Sequence, residues 1–232
     1  MTPPVMIFCA GFGTRMGALT ADRPKPLVEV AGRPLLDHAL DLVTEAGLTR
    51  AVLNLHYKGQ MIRNHLAGRA APTLGFSDES GEILETGGGL QRALPLLEAD
   101  PVMTLNPDTV WTGPNPLPRL IAAMEADPAA EAVLMVVPRA RAAGHVAPGD
   151  FFVDDGLPRR RGDAPTAPFI YGGTQILRTG RLAAMPPGAF SLNRLWDSMI
   201  ADGTLRAITH EGGWVDVGRP EGIALAEAEL AR

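Results

Sequence analysis

Short apolar runs alternate with amphipathic segments along most of the chain. Residues 5–10 (Val-Met-Ile-Phe-Cys-Ala) form a continuous apolar run that ends at a glycine, as is typical of a strand buried in a parallel sheet. Farther along, Leu36, Leu40 and Val43 recur at helical spacing after a proline, which indicates an amphipathic helix. The same patterns predict strands over 5–10, 51–55, 73–76, 102–105, 132–137, 169–177, 205–209 and 214–215, and helices over 34–46, 58–66, 90–97, 117–126, 192–201 and 220–230.

This alternation of strands and helices is typical of the α/β class. We expect a three-layer sandwich around a mainly parallel, mixed central sheet. No internal repeat or long linker interrupts the pattern, so we expect a single domain over residues 1–232. The predicted helix over 90–97 is the least regular, because it contains Pro95.

Composition restricts the kind of partner. A content of 46% hydrophobic and 20% charged residues is typical of a soluble globular chain with a large core. The net charge is −5 and the longest basic run is the three arginines 159–161, so we expect no nucleic-acid partner. The single cysteine, Cys9, fits a reducing compartment, and neither a signal-peptide pattern nor an apolar stretch of membrane-spanning length is evident. We therefore expect a cytoplasmic protein without a membrane partner.

A glycine-rich loop follows the first predicted strand, where residues 10–17 read Ala-Gly-Phe-Gly-Thr-Arg-Met-Gly. Glycines at the carboxyl end of a strand let phosphates approach the backbone, and amides there bind anions. The loop matches neither the P-loop, which needs a Gly-Lys pair, nor the dinucleotide fingerprint, for which the spacing from Gly13 to Gly17 is one residue too long. A plain tight turn is the alternative, but Arg15 favours phosphate binding because a guanidinium can hold a phosphate bidentately.

A lysine lies between two prolines shortly after this loop. Pro24 and Pro26 fix the backbone on both sides of Lys25, which would hold its ammonium toward a fixed anion. Taken alone, a solvated lysine in a rigid loop is the simpler interpretation. Its position after the glycine-rich loop favours the phosphate interpretation.

Together these segments resemble a known signature. Residues 10–16, followed by 25–34 (Lys-Pro-Leu-Val-Glu-Val-Ala-Gly-Arg-Pro), are similar to the motif of the sugar-1-phosphate nucleotidyltransferases. The resemblance continues through 85–89 (Glu-Thr-Gly-Gly-Gly), 106–108 (Asn-Pro-Asp) and 214–218 (Trp-Val-Asp-Val-Gly), and so covers nearly the whole chain. It implies a Rossmann-like GT-A nucleotidyltransferase fold, and an enzyme that joins a nucleoside triphosphate to a sugar 1-phosphate and releases pyrophosphate.

Within that family, the short length and the versions of residues 85–89 and 214–218 are most similar to the members that activate N-acetylmuramate 1-phosphate with UTP in peptidoglycan recycling. Other pairs stay open, namely GTP with mannose 1-phosphate or CTP with phosphocholine. A catalytically silent sensor of nucleotide sugars is the alternative outside enzymes. We expect a monomer or a homodimer.

The resemblance also implies roles for individual residues. Arg15 and Lys25 would neutralise phosphate charge in an in-line transfer, in which the sugar phosphate is already an anion and needs no general base. Asp108 and Asp216 would hold Mg²⁺, which prefers oxygen ligands and bridges phosphates. From the sequence alone, a turn or capping role explains either aspartate equally well. The nucleotide would be bound by Ala10, Gly11, Gly13, Thr14, Thr86, Gly87 and Gly88, the last three presenting an open backbone ahead of a helix.

The sugar contacts are less sharply indicated. The resemblance points to Asp150, Gly173 and Asn193, although Asn193 begins a predicted helix and could cap it instead. Relatives often carry an acidic residue shortly before the strand over 169–177, where this chain has arginines 159–161. Those arginines could bind the lactyl carboxylate of muramic acid, or they could form a solvated charged hairpin.

Overall fold

The computed structural model describes residues 2–232, which contain fourteen strands and seven α-helices. Within this range no helix has the length and apolar character needed to cross a membrane. The strands are β1 (Val5–Phe8), β2 (Glu29–Val30), β3 (Arg33–Pro34), β4 (Arg50–Leu55), β5 (Thr73–Asp78), β6 (Val102–Leu105), β7 (Thr109–Trp111), β8 (Ala132–Pro138), β9 (Ala142–Ala143), β10 (Phe151–Asp154), β11 (Leu157–Arg160), β12 (Phe169–Leu177), β13 (Leu205–Thr209) and β14 (Trp214–Asp216). The helices are α1 (Leu35–Glu45), α2 (Gly59–Leu66), α3 (Glu85–Leu97), α4 (Pro116–Ala126), α5 (Gly180–Ala183), α6 (Asn193–Ala201) and α7 (Glu221–Leu230).

Nine of these strands form the central sheet. β5, β4, β1 and β6 lie side by side and run parallel, with Val5 of β1 opposite Ala51 of β4 and Met103 of β6. β12 lies antiparallel between β6 and β8, and β13 pairs parallel with β8. The β10–β11 hairpin joins the start of β12 through Phe151 and Phe169. The predicted mixed, mainly parallel sheet is confirmed.

Helices cover both faces of this sheet. Val5 and Ile7 of β1 pack into one buried cluster with α1, α2 and α4, whereas Met6 packs into another with α3 and α6. Because neighbouring side chains on a strand point to opposite faces, the two clusters lie on opposite sides of the sheet. The predicted three-layer sandwich is therefore confirmed.

A small second sheet of β7, β14 and β9 lies beside the central one. Asp216 of β14 is opposite Thr109 of β7, and Val215 packs in a third buried cluster with Ala226 of α7. β7 is not predicted from the sequence, because three residues directly after a turn are too few to show a periodic pattern.

The largest difference from the predicted elements is in α3. This helix begins at Glu85, five residues before the predicted start, and it includes the glycine run 87–89 as well as Pro95. Glycine and proline oppose helix formation locally. Here the helix persists because Leu90, Ala93 and Leu97 are buried against the sheet, and packing of that face outweighs the local cost.

Candidate active site

A cavity of about 270 Å³ opens where the parallel strands β1, β4, β5 and β6 end. We call it the first cavity. Open α/β sheets bind ligands at this edge, beyond the carboxyl ends of the strands. Its lining includes Cys9, Ala10 and Gly11 after β1 and Asp108 after β6, so the cavity lies where the sequence motifs place nucleotide chemistry.

An ion pair lies in this cavity. Lys25 Nζ is 2.5 Å from Asp108 Oδ2, and the lysine is only 9% exposed. The short 3₁₀ segment Lys25–Leu27 fixes the lysine backbone, with Leu27 N–H donating to the Pro24 carbonyl. A buried ammonium needs a paired anion, and Asp108 supplies it. The arrangement brings together two of the residues that the resemblance assigns to phosphate and metal binding.

The glycine-rich loop packs against this lysine. Gly13 has a φ of 66°, in the left-handed region that favours glycine, and a Cβ there would lie 2.8 Å from Lys25 Cβ. Gly11 faces open space. Thr14 and Arg15 are exposed at the start of the 3₁₀ segment Thr14–Thr20 and do not line the cavity. The structure thus gives Gly13 a packing role beside Lys25, and it leaves Arg15 exposed outside the cavity lining.

The floor of the first cavity is a buried polar chain that the sequence analysis missed. Cys9 N–H donates to Asn54 Oδ1 at 2.7 Å, and Asn54 Nδ2 donates to Glu79 Oε1 at 2.8 Å. Glu79 is 1% exposed and its Oε2 has no hydrogen-bond partner within residues 2–232. Burial raises the pKa of this carboxyl, an effect that the hydrogen bond from Asn54 opposes. The available signal was Asn54, a polar residue inside the apolar run 51–55.

Asp216 is brought next to Asp108 by the small second sheet. Asp216 pairs opposite Thr109, and Val217 N–H donates to the Asp108 carbonyl at 2.9 Å, so the two aspartates occupy neighbouring positions on adjacent backbone segments. His145 Nδ1 is 3.8 Å from Asp216 Oδ2. Helix α7 starts at Glu221 after Pro220, without a side-chain cap, which excludes the capping role for Asp216.

The donor set fits Mg²⁺. Within residues 2–232, no three His, Cys, Asp or Glu side chains cluster in a metal-binding arrangement. Two carboxylates from adjacent segments match the way Mg²⁺ is held by one or two protein carboxylates, with waters and substrate phosphates completing the coordination.

Gly87 and Gly88, two of the expected nucleotide contacts, make backbone contacts within the protein. The amides of Gly87 and Gly88 both donate to the Phe190 carbonyl, at 2.8 and 3.1 Å, and neither residue lines a cavity of the site. A Cβ on Gly88 would overlap the Gly188 carbonyl. The glycines therefore allow α3 to approach the segment 188–190, and their amides are not free for a nucleotide. Thr86 does line the first cavity, while its Oγ1 accepts a hydrogen bond from Leu192 N–H.

A second cavity, also of about 270 Å³, adjoins the first. Phe8, Thr86 and Asn106 line both. The remaining lining comes from distant parts of the chain and includes two predicted sugar contacts, Asp150 and Asn193.

The two predicted sugar contacts are held differently. Asp150 Oδ2 accepts the Tyr171 N–H at 2.8 Å, which fixes the orientation of the carboxylate. Asn193 does not cap α6, because Leu192 occupies the cap position. Instead, Asn193 Oδ1 accepts a hydrogen bond from Arg160 Nη2 at 2.9 Å.

The third predicted sugar contact, Gly173, packs against Asn106, which lines the cavity. Its carbonyl accepts the Asn106 N–H at 2.7 Å, and a Cβ on it would lie 3.1 Å from Asn106 Cβ. Gly173 is absent from the lining of the second cavity, and the role that the structure shows for it is support of Asn106. Asn106 belongs to the motif 106–108, but nothing in that motif singles it out as a structural support.

The family assignment follows from comparison with known proteins. The profile of the MobA-like NTP transferase domain matches residues 5–181, most of the chain. The chain belongs to the MobA-like NTP transferase family. This confirms the nucleotidyltransferase predicted from the motifs.

The relatives of this transferase agree with that assignment. It is 40% identical to the N-acetylmuramate α-1-phosphate uridylyltransferase of Caulobacter vibrioides, over 97% of the chain and 96% of that protein. Its fold is similar to that of UDP-glucose pyrophosphorylase complexed with UDP-glucose, with a TM-score of 0.79, 15% identity and coverage of 100% and 99% of the two chains. It is also similar to HddC from Yersinia pseudotuberculosis complexed with GMP-PN, with a TM-score of 0.77, 23% identity and coverage of 99% and 100%. At these identities the solved structures show the fold alone, and the predicted nucleotidyltransferase fold is confirmed.

Proposed function

We propose that this transferase joins UTP to N-acetylmuramate 1-phosphate, giving the UDP-sugar and pyrophosphate. The observation that carries the proposal is the Lys25–Asp108 pair in a cavity at the carboxyl ends of the parallel strands. The choice of substrates is supported by the 40% identical uridylyltransferase, which aligns over nearly the full length of both chains.

The reaction needs positioning and charge neutralisation more than proton transfer. One oxygen of the sugar 1-phosphate attacks the α-phosphorus of UTP, and pyrophosphate leaves in line. Lys25 would bind phosphate oxygens at the reacting centre, since its ammonium is held in the first cavity. Arg15, exposed directly after the glycine-rich loop, would neutralise the triphosphate and the departing pyrophosphate.

Asp108 and Asp216 would hold Mg²⁺. The bound ion would supply charge neutralisation to the phosphate oxygens. The Lys25 ammonium compensates the Asp108 carboxylate in the free protein, so this carboxylate is not left unpaired in its partly buried position.

The two cavities divide the substrates between them. The first cavity would take the nucleotide, with the backbone of Ala10 and Gly11, the side chain of Thr86 and the buried Glu79 facing it. Gly13 and Thr14 would shape the loop around it. The second cavity would take the sugar, where Asp150 and Asn193 offer hydrogen-bond acceptors to hydroxyl and amide groups.

Release of pyrophosphate tests the proposal. Each of the four common NTPs is paired with N-acetylmuramate 1-phosphate, N-acetylglucosamine 1-phosphate, glucose 1-phosphate, mannose 1-phosphate and phosphocholine, with and without Mg²⁺. We expect the highest kcat/KM with UTP and N-acetylmuramate 1-phosphate, and no turnover without the metal. A higher kcat/KM with another pair would replace the substrates, and no turnover with any pair would favour a sensor. Placement in the cytoplasm and a monomeric or dimeric state stay predictions.

A further inference from the structure

One cation lies in the second cavity, and it is one of the three consecutive arginines. Of the residues that line this cavity, Arg160 and Asp150 are charged and the others are neutral. Asp150 is already fixed by the Tyr171 amide. Arg160 is therefore the point in this cavity at which an anionic group can be bound.

Arg160 is held in place by contacts on several sides. Its Nε donates to Asp197 Oδ1 at 2.7 Å, and its Nη2 donates to the backbone carbonyl and the side-chain oxygen of Asn193 at 3.2 and 2.9 Å. The guanidinium carbon lies 4.9 Å from the ring centre of Phe151 and 5.4 Å from that of Trp196. Aromatic faces and fixed acceptors orient a guanidinium at low entropic cost to a ligand.

This arrangement leaves part of the guanidinium available. Within residues 2–232, Arg160 Nη1 makes no hydrogen bond, and the side chain is 30% exposed to solvent. Its partner Asp197 is 59% exposed, so the ion pair is screened by solvent and compensates the arginine only weakly. A guanidinium with free N–H donors beside a polar cavity is suited to bind a carboxylate.

The neighbouring arginines serve different purposes. Arg159 points to the opposite face of β11, where its guanidinium lies 4.4 Å from the ring centre of Phe152, and it does not line the cavity. Arg161 donates to the carbonyls of Gly149 and Ala164 and so ties the loop before β10 to the segment after β11. The three arginines are therefore not an undifferentiated solvated hairpin.

We propose that Arg160 is the residue that selects a carboxylate-bearing sugar, by binding the lactyl carboxylate of N-acetylmuramate 1-phosphate. The inference rests on the proposed function and names the residue that distinguishes this sugar from N-acetylglucosamine 1-phosphate, which lacks only the lactyl group. A charge-assisted hydrogen bond of this kind corresponds to a factor of about 10–100 in specificity.

The test compares the two sugars in the wild-type enzyme and in Arg160→Gln. The quantity measured is the ratio of kcat/KM for N-acetylmuramate 1-phosphate to that for N-acetylglucosamine 1-phosphate, at saturating UTP. We expect the ratio to fall about 10–100-fold in Arg160→Gln, chiefly through KM. Arg159→Gln is the matched control and should keep the wild-type ratio.

A second substrate separates binding of the carboxylate from a purely structural role. The methyl ester of the lactyl group removes the charge and adds only one methyl group. Wild type should discriminate against this ester, whereas Arg160→Gln should treat acid and ester alike. Arg160→Lys keeps the charge, so its discrimination between acid and ester should lie between those of wild type and Arg160→Gln. It replaces Arg160→Gln in this test if the latter folds poorly. An unchanged acid-to-ester ratio in these variants would show that Arg160 only fastens the hairpin to α6.

Calorimetric binding of both sugar phosphates keeps the two proposals separate. If wild type binds the acid more tightly but turns over neither sugar, the proposed activity fails and the assignment of Arg160 stands. If wild type turns over N-acetylmuramate 1-phosphate and the Arg160 variants keep its preference, the assignment fails and the activity stands. Equal affinity of wild type for both sugars would overturn the assignment directly.

Discussion

The two cavities of the site are built in different ways. The first is lined largely by contiguous segments at the ends of parallel strands, around the ion pair of Lys25 and Asp108. The second is assembled from β10, β11, β12, α6 and the residues before α6, to which Phe8, Thr86 and Asn106 from the first half of the chain are added. We therefore propose that the phosphate chemistry depends on the motif-bearing segments, and that the choice of sugar depends on the packing of the β10–β11 hairpin against β12 and α6.

The cations of the two cavities also differ, in their burial and in their partners. Lys25 is only 9% exposed and is paired with Asp108, the carboxylate that we propose as a metal ligand, so we propose that it acts at the reaction centre. The Arg160 side chain is 30% exposed and rests on aromatic rings and a solvent-screened acid. Loss of the first cation should therefore affect the rate with every sugar, and loss of the second should affect the preference among sugars.

Replacing Lys25 should give the largest effect and tests this division directly. We expect Lys25→Gln to lower kcat about 10²–10³-fold, the loss typical of a preorganised electrostatic contact. The factor should be the same for N-acetylmuramate 1-phosphate and N-acetylglucosamine 1-phosphate, measured by steady-state release of pyrophosphate.

The only other lysine, Lys58, provides the matched control. Lys58→Gln should keep the wild-type kcat, since Lys58 lies outside both cavities. A folded Lys25→Gln enzyme with undiminished kcat, or a loss that differs between the two sugars, would contradict the division between the cavities.

The second prediction concerns the contact of α3 with the segment 188–190, beside the second cavity. A Cβ on Gly88 would overlap the Gly188 carbonyl, so Gly88→Ala must displace the segment that leads to Ser191 and Leu192 in the second cavity. We expect a loss of about 1–3 kcal/mol in the free energy of unfolding, as for other overpacked sites. KM for the sugar phosphate should rise more than KM for UTP.

Thermal unfolding and steady-state kinetics measure both effects. Gly180→Ala is the control, because a Cβ there meets no atom within 4 Å and α5 tolerates alanine. If Gly88→Ala were as stable as the control, the close packing of α3 on this segment would be refuted. An equal rise of both KM values would indicate that the two cavities are not independent.

The predictability of the molecule from its sequence follows the same division. We could predict the strand runs, the order of the elements and the positions of Lys25 and Asp108 from the sequence, because periodicity and local motifs encode them. The helical state of residues 85–89 was not, since burial against the sheet and the segment 188–190 overrides the local preference of glycine. The surroundings of Arg160 could not be predicted either, because they depend on the register of a hairpin and on two aromatic rings from other elements.

The smallest predicted effect concerns the buried floor of the first cavity. Burial raises the pKa of Glu79, so the folded protein favours its protonated form and loses stability as pH rises and the group ionises. Glu79→Gln removes the charge, and it should therefore raise Tm relative to wild type near pH 8, with a gain that vanishes toward pH 4.

Glu131→Gln is the contrasting variant, for which we expect a change of Tm of the opposite sign. Because the hydrogen bond from Arg181 lowers the pKa of Glu131, its ionised form stabilises the fold, and this variant should lose most stability near pH 8. If the Tm of both variants changed with pH in the same direction relative to wild type, burial would not oppose the ionisation of Glu79.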